Sequence, residues 1–185
     1  MEPPLTALPT QIMRLADLAT RKPTAFSIAP DAAQRAAIAR ALNIPKLRKF
    51  QCHGQISPIG KTDWQLDAKI GATVVQDCVI TLDPVTTRID EPFTRHYAAD
   101  FVEPDAAETE MVDDDTTEPL PASLDLYALA MEALSLALPA FPRADGATLE
   151  TTDFAAPGTP AMTDDDAKPF AALGALRDAL EKKGE

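Results

Sequence analysis

The chain has 185 residues, 45% of them hydrophobic, which is enough for one buried core and a tail but short for two full domains. Seventeen Lys and Arg stand against 29 Asp and Glu, a formal charge of -12, and this excludes a surface coated all round with phosphate-binding groups, so any nucleic-acid contact must be local. The charge is uneven, with 12 basic and 9 acidic side chains in residues 1–95 (net +3) and 5 basic and 20 acidic in residues 96–185 (net -15), a split that points to two faces with different partners or to one face and an acidic loop or tail.

In chain order, the apolar runs at 11–18 and 24–28 predict two strands or extended segments, separated by the break Arg21-Lys22-Pro23. Pro30 and Asp31 then open a helix over residues 31–43, with proline suited to the first turn and an acid near the positive end of the dipole; Asn43 and Pro45 close it. Residues 46–57 read as a strand. Trp64, Leu66, Ala68, Ile70, Ala72 and Val74 alternate onto one face of a second strand. After a turn at Asp83-Pro84, Val85, Ile89, Phe93, Tyr97 and Phe101 mark a long strand returning antiparallel to it.

Residues 103–122 are acidic, punctuated by proline and poor in large apolar groups, and read as a mobile loop. Ser123 is placed to cap the next helix, with Asp125 in its first turn and an apolar face of Leu126, Leu129, Ala130, Ala133, Leu134 and Ala137 that ends before Pro139 and Pro142. The resulting expectation is an α+β fold: an antiparallel sheet or partly closed barrel with a helix in the N-terminal half and a second, apolar helix after the acidic loop. One domain over residues 1–143 is followed by an acidic linker at 144–167. A C-terminal amphipathic helix at 168–183 carries Phe170, Leu173, Leu176 and Leu180 on one face.

The chain offers little for chemistry. Its seven glycines form no phosphate-cradling loop. Cys52, His53, Cys78 and His96 are the only thiol and imidazole ligands; Cys52 and His53 are adjacent and on a strand face opposite ways, so no metal is expected. Cys78 with His96 lacks any motif for an orienting third group. The acid runs 113–115 and 164–166 lack the alternate spacing and turn glycine of a calcium loop. We therefore expect no enzyme activity, no cofactor and no small-molecule substrate. Two cysteines are too few for a disulfide framework, no basic segment opens the chain, and each apolar stretch is interrupted by charge, so a cytoplasmic protein without a membrane segment is expected.

The candidate binding surface is the segment 20–50, where Arg21, Lys22, Arg35, Arg40, Lys46, Arg48 and Lys49 meet one acid, Asp31, for a net +6. Phosphate contacts of this kind give an affinity that falls steeply with salt and carries little sequence information. Arg35 and Arg40 fit equally the wet face of an amphipathic helix, and the flanking Phe26 and Phe50 fit equally a stacking or a core role. The acidic half supports another reading, a module that holds a basic protein.

Three patterns occur in order along the chain. Gln76-Asp77-Cys78 leads through Leu82 to Pro84; Asp125-Leu126 opens an apolar helix that ends with Pro139 and Pro142; Pro169-Phe170 is followed by Leu173. Together they resemble the YceD family, over a stretch from about Phe26 to Leu176. The resemblance implies a non-catalytic role in accumulation or processing of 23S ribosomal RNA and in large-subunit biogenesis. It also implies large-subunit RNA or its precursor as partner and no cofactor; the alternative from the acidic half is a basic ribosomal protein or an assembly factor as partner. One position departs from the family: many members carry a Cys-x-x-Cys pair in the central strand, whereas here Val75 occupies the first site and Cys78 stands alone.

Overall fold

The computed structural model describes residues 7–101, 116–149 and 155–162. Its elements are β1 (Ile12–Arg14), β2 (Thr24–Ile28), α1 (Ala32–Ala41), β3 (Lys46–Ile59), β4 (Asp63–Asp77), β5 (Pro84–Ala98), β6 (Thr117–Pro119), β7 (Ser123–Asp125) and α2 (Leu126–Ala137). The chain divides into one compact unit at Met1–Asp145, which holds all these elements, and a second at Gly146–Glu185. In the second, residues 155–162 form a turn with flanking coil. The helix expected at 168–183, with Pro169, Phe170 and Leu173, lies outside the described residues.

The fold is α+β. Five strands form an open sheet in the order β2-β3-β4-β5-β6, antiparallel throughout except for the parallel β5–β6 pair. The alternation in β4 does what its period requires: Trp64, Leu66, Ala68, Ile70, Ala72 and Val74 are all buried on one face. They join Ile38 of α1 and Leu126, Ala130 and Leu134 of α2 in a single hydrophobic cluster. Each fully buried aliphatic side chain there contributes roughly 1.5–3 kcal/mol relative to exposure. The opposite face carries the polar members of the same strands, the arrangement an antiparallel sheet adopts when only one side is covered.

α1 begins with a reciprocal cap. Asp31 sits just outside the helix: its carboxylate accepts from the Gln34 amide at 2.8 Å, and the Gln34 side chain accepts from the Asp31 amide at 2.9 Å. Such a pair satisfies two donors that the first turn leaves free. The helix ends at Leu42, Asn43 takes a left-handed conformation (φ 52°), and the chain turns into β3 at Lys46.

Four sequence expectations are corrected. The run 11–18 is a three-residue strand followed by a 3-10 turn at Leu15–Asp17, because β1 pairs only with the equally short β7. That pairing places Ser123 in a strand and passes the cap of α2 to Asp125, whose carboxylate accepts from the amides of Tyr127 and Gln11, both at 3.0 Å. Phe101 lies beyond β5 and is exposed. The loop expected at 103–122 gives way at its far end to β6. There backbone hydrogen bonds supply what apolar burial does not: the His96 amide donates to Thr116 at 2.9 Å and the Leu120 amide to Ala98 at 3.0 Å. Residues 103–115 of that loop lie outside the described residues.

Arg95 fastens α2 to this edge of the sheet. Its Nη2 lies 2.6 Å from Glu132 of α2 and its Nε 3.0 Å from Glu118 of β6, with the arginine side chain only 17% exposed and the two carboxylates far wetter. Because water screens the glutamates, Arg95→Ala is expected to cost no more than about 1–2 kcal/mol. The check is a lowered urea midpoint at unchanged slope.

Candidate nucleic-acid interface

The first third of β3 contains a bulge. Leu47 pairs with Val74 and Lys49 with Thr73, so Arg48 is an extra residue without a partner on β4. The two core positions Leu47 and Phe50 are therefore three residues apart, and both intervening cations, Arg48 and Lys49, are exposed. A bulge re-aims side chains in this way, and here it turns two consecutive charges outward.

α1 lies beside this stretch of β3. Between them runs a groove of about 620 Å³ in which Arg35, Arg40, Lys46 and Arg48 stand around Ala36, Ala39 and Leu47. Around the strand, a cavity of about 650 Å³ is bordered by Arg35, Arg48, Lys49 and Arg88, together with Gln51 and Gly71. Arg35 and Arg48 line both. The Arg35 guanidinium is held in place by a 2.8 Å bond from Nη1 to the Pro30 carbonyl. Among the described residues, none of the seven cations of segment 20–50 is in a salt bridge.

The structure gathers five of those seven. Arg21 and Lys22 precede β2, whose first residue Thr24 pairs with Ile56, eight positions along β3 from Arg48. At the rise of a strand that is roughly 26 Å. Phe50 is a core residue and Phe26 packs against the core, so neither is presented as a stacking platform. Arg88 is the cation that sequence proximity missed. It enters from β5 through register, Arg88 opposite Thr73 and Thr73 opposite Lys49. Its even position, out of phase with Val85 and Ile89, was the available signal that it faces away from the core.

The family-motif residues do something different. Gln76 Nε2 donates to the Pro139 carbonyl at 3.0 Å, and the Val79 amide donates to Pro142 at 2.9 Å. Between these bonds lies Cys78, closed off from solvent, whose sulfur accepts from the amides of Ile80 and Thr81 at 3.4 Å and of Ala144 at 3.3 Å. Leu82 takes a left-handed conformation (φ 63°) in the turn that leads to Pro84. Two of the three motifs are thus halves of one clasp joining the β4–β5 turn to the end of α2, while Asp125 caps and Leu126 buries the start of that helix.

Hydrogen bonds from Thr81, side chain and amide, and from the Ala144 amide outweigh desolvation and bring the Cys78 thiol down to about 6, whereas burial alone pushes Cys52 up to about 11. A thiol whose folded pKa is lowered stabilises the fold above its unfolded value near 9, and that contribution is lost as pH falls toward 6. Between pH 6 and 9, where Cys52 stays neutral, wild-type stability is expected to rise with pH more than that of Cys78→Ser, as read from urea midpoints. His96 sits at the other end of β5, twelve residues beyond Pro84 and roughly 40 Å along the strand, so the two do not form a dyad. Among the described residues no group of three or more His, Cys, Asp or Glu is placed to hold a metal ion.

The model of the family described as large ribosomal RNA subunit accumulation protein YceD matches residues 66–177. This stretch includes the clasp and Arg88 but begins after the basic segment, so it is narrower at its start than the motif resemblance. No curated protein and no solved structure matches the chain. Among the described residues no helix is long and apolar enough to cross a membrane.

Proposed function

The chain belongs to the YceD family of large ribosomal RNA subunit accumulation proteins, and from that premise we propose that it acts without catalysis, binding large-subunit ribosomal RNA or its precursor through the α1–β3 face. The observation that carries this reading is the gathering of Arg35, Arg40, Lys46, Arg48 and Lys49 around two adjoining hollows with no acid paired to them among the described residues. In a chain of net charge -12, such a concentration of unpaired cations stands against the general potential. It has the character of a backbone-reading surface: cations on a helix and a bulged strand, without aromatic rings exposed between them.

The bulge gives the face its geometry, since regular pairing would have turned one of Arg48 and Lys49 into the core. Folding the capped helix against β3 brings Arg35 and Arg40 to the same place. The acidic half then keeps other polyanions away from the rest of the surface.

The test is titration of the purified chain with a labelled transcript of a large-subunit ribosomal RNA domain over a series of salt concentrations. Binding that weakens with salt along a straight log–log line supports the reading. Absent or salt-independent binding, with recovery of a basic ribosomal protein on the same chain, would instead favour a protein partner for the acidic half.

A further inference from the structure

Gly71 of β4 lies in register between Gln51 of β3 and Asp90 of β5, on the face of the sheet away from the core. Having no side chain, it leaves a hollow into which three polar groups lean. A Cβ at this position would lie 2.9 Å from Arg88 Nη2, 3.2 Å from Asp90 Oδ1 and 3.3 Å from Gln51 Nε2. The same hollow opens onto the cavity bordered by Arg35, Arg48 and Lys49.

Within it Arg88 is already engaged. Its Nη2 and Nε meet the two Asp90 carboxylate oxygens at 2.6 and 2.7 Å, the paired geometry with which a guanidinium also holds a phosphate. Both side chains are close to half exposed, so the pair is weak and exchangeable. The charged groups that line the cavity, Arg35, Arg48, Lys49 and Arg88, are all cations. Asp90 stands at its border beside Gly71 and is the anion that Arg88 holds.

We infer that Asp90 is a resident stand-in for an RNA phosphate, and that on binding Arg88 leaves it for a backbone phosphate seated over Gly71, with Gln51 as the second donor. This deepens, and rests on, the RNA-binding reading above. The exchange is one of hydrogen-bond partners only: the guanidinium keeps its charge, and the released carboxylate turns to water. Its consequence is that the protein restrains its own affinity, since each RNA that binds must displace the aspartate.

The decisive experiment is the same salt-series titration with Asp90→Asn, Arg88→Gln, the double variant and Gly71→Ala, each checked by thermal melting for an intact fold. Removing the stand-in is expected to tighten binding about two- to five-fold, the worth of an exposed ion pair, with the salt slope nearly unchanged because Arg88 reaches the same phosphate in both proteins. Arg88→Gln is expected to weaken binding and flatten the slope by just under one phosphate. The double variant should behave like Arg88→Gln alone, because Asp90 acts only through Arg88. Gly71→Ala changes no charge but fills the hollow against flexible side-chain tips, so it should fold normally and lower affinity toward the Arg88→Gln level.

If wild type binds RNA but the two charge substitutions act independently, or Gly71→Ala leaves affinity unchanged, the exchange is wrong while the RNA reading survives. If wild type does not bind RNA, both fall together.

Discussion

Replacing Arg48 and Lys49 together with alanine is expected to weaken binding to large-subunit ribosomal RNA by roughly 25–60-fold at 0.1 M salt. The figure follows from counterion release: each neutralised phosphate contributes a log–log slope of about 0.7 on single strands and 0.9 on duplex, so at 0.1 M each lost contact costs about five- to eight-fold. The slope itself should fall by about 1.4–1.8. Both side chains are exposed and neither is in a salt bridge among the described residues, so the fold should not change. The informative comparison is Arg21→Ala with Lys22→Ala, which removes the same charge from a point about 26 Å away along β3. A loss in the first pair much larger than in the second assigns the RNA to the α1–β3 face. Equal losses would show that only net charge matters and would overturn the assignment.

How much of this face was legible in the sequence depended on the kind of order each part obeys. β4 is a single unbroken alternation from Trp64 to Val74, so its buried side could be read directly, and with it the antiparallel return of Val85, Ile89 and Tyr97. α1 declared itself through the Asp31 boundary and the stop at Asn43. What escaped was everything set by non-local pairing. β7 exists because β1 needs a partner, and that moved the helix cap from Ser123 to Asp125. β6 exists because β5 had a free edge.

The cation face divides along the same line. Arg35 through Lys49 were found because they are neighbours in sequence, and Arg21 and Lys22 were included for the same reason, although the structure sets them apart. Arg88 is some forty residues further on and joins only through two strand registers. The bulge left a faint trace, since Leu47-Arg48-Lys49-Phe50 puts two charges between core residues where a regular strand allows one. Two of the motifs that carried the family resemblance meet at the clasp around Cys78, with Asp125 and Leu126 at the start of α2, and neither forms part of the cation face.

Gly54 sets the largest expected loss of stability. It sits in β3 opposite Ala68, and a Cβ there would lie 2.3 Å from the Asp67 carbonyl oxygen and 2.7 Å from both the Cα and Cβ of Ala68. Its contrast with Gly71 is instructive: at Gly71 the neighbours are the tips of long side chains that swing aside, whereas at Gly54 they are backbone and a methyl group that cannot. Gly54→Ala must therefore push β3 and β4 apart in the middle of their ladder, breaking hydrogen bonds on either side of the site. Overpacking of a well-filled interior typically costs about 1–3 kcal/mol, and the backbone clash places this substitution at or above the upper end. A domain with a net stability on the order of 5–15 kcal/mol would lose a large part of its margin. The measurement is the urea midpoint of Gly54→Ala beside that of Gly71→Ala: the first is expected to drop sharply and the second to stay near wild type. Because β3 also carries Arg48 and Lys49, what remains of folded Gly54→Ala should bind RNA less tightly, and a wild-type midpoint for this variant would overturn the expected clash.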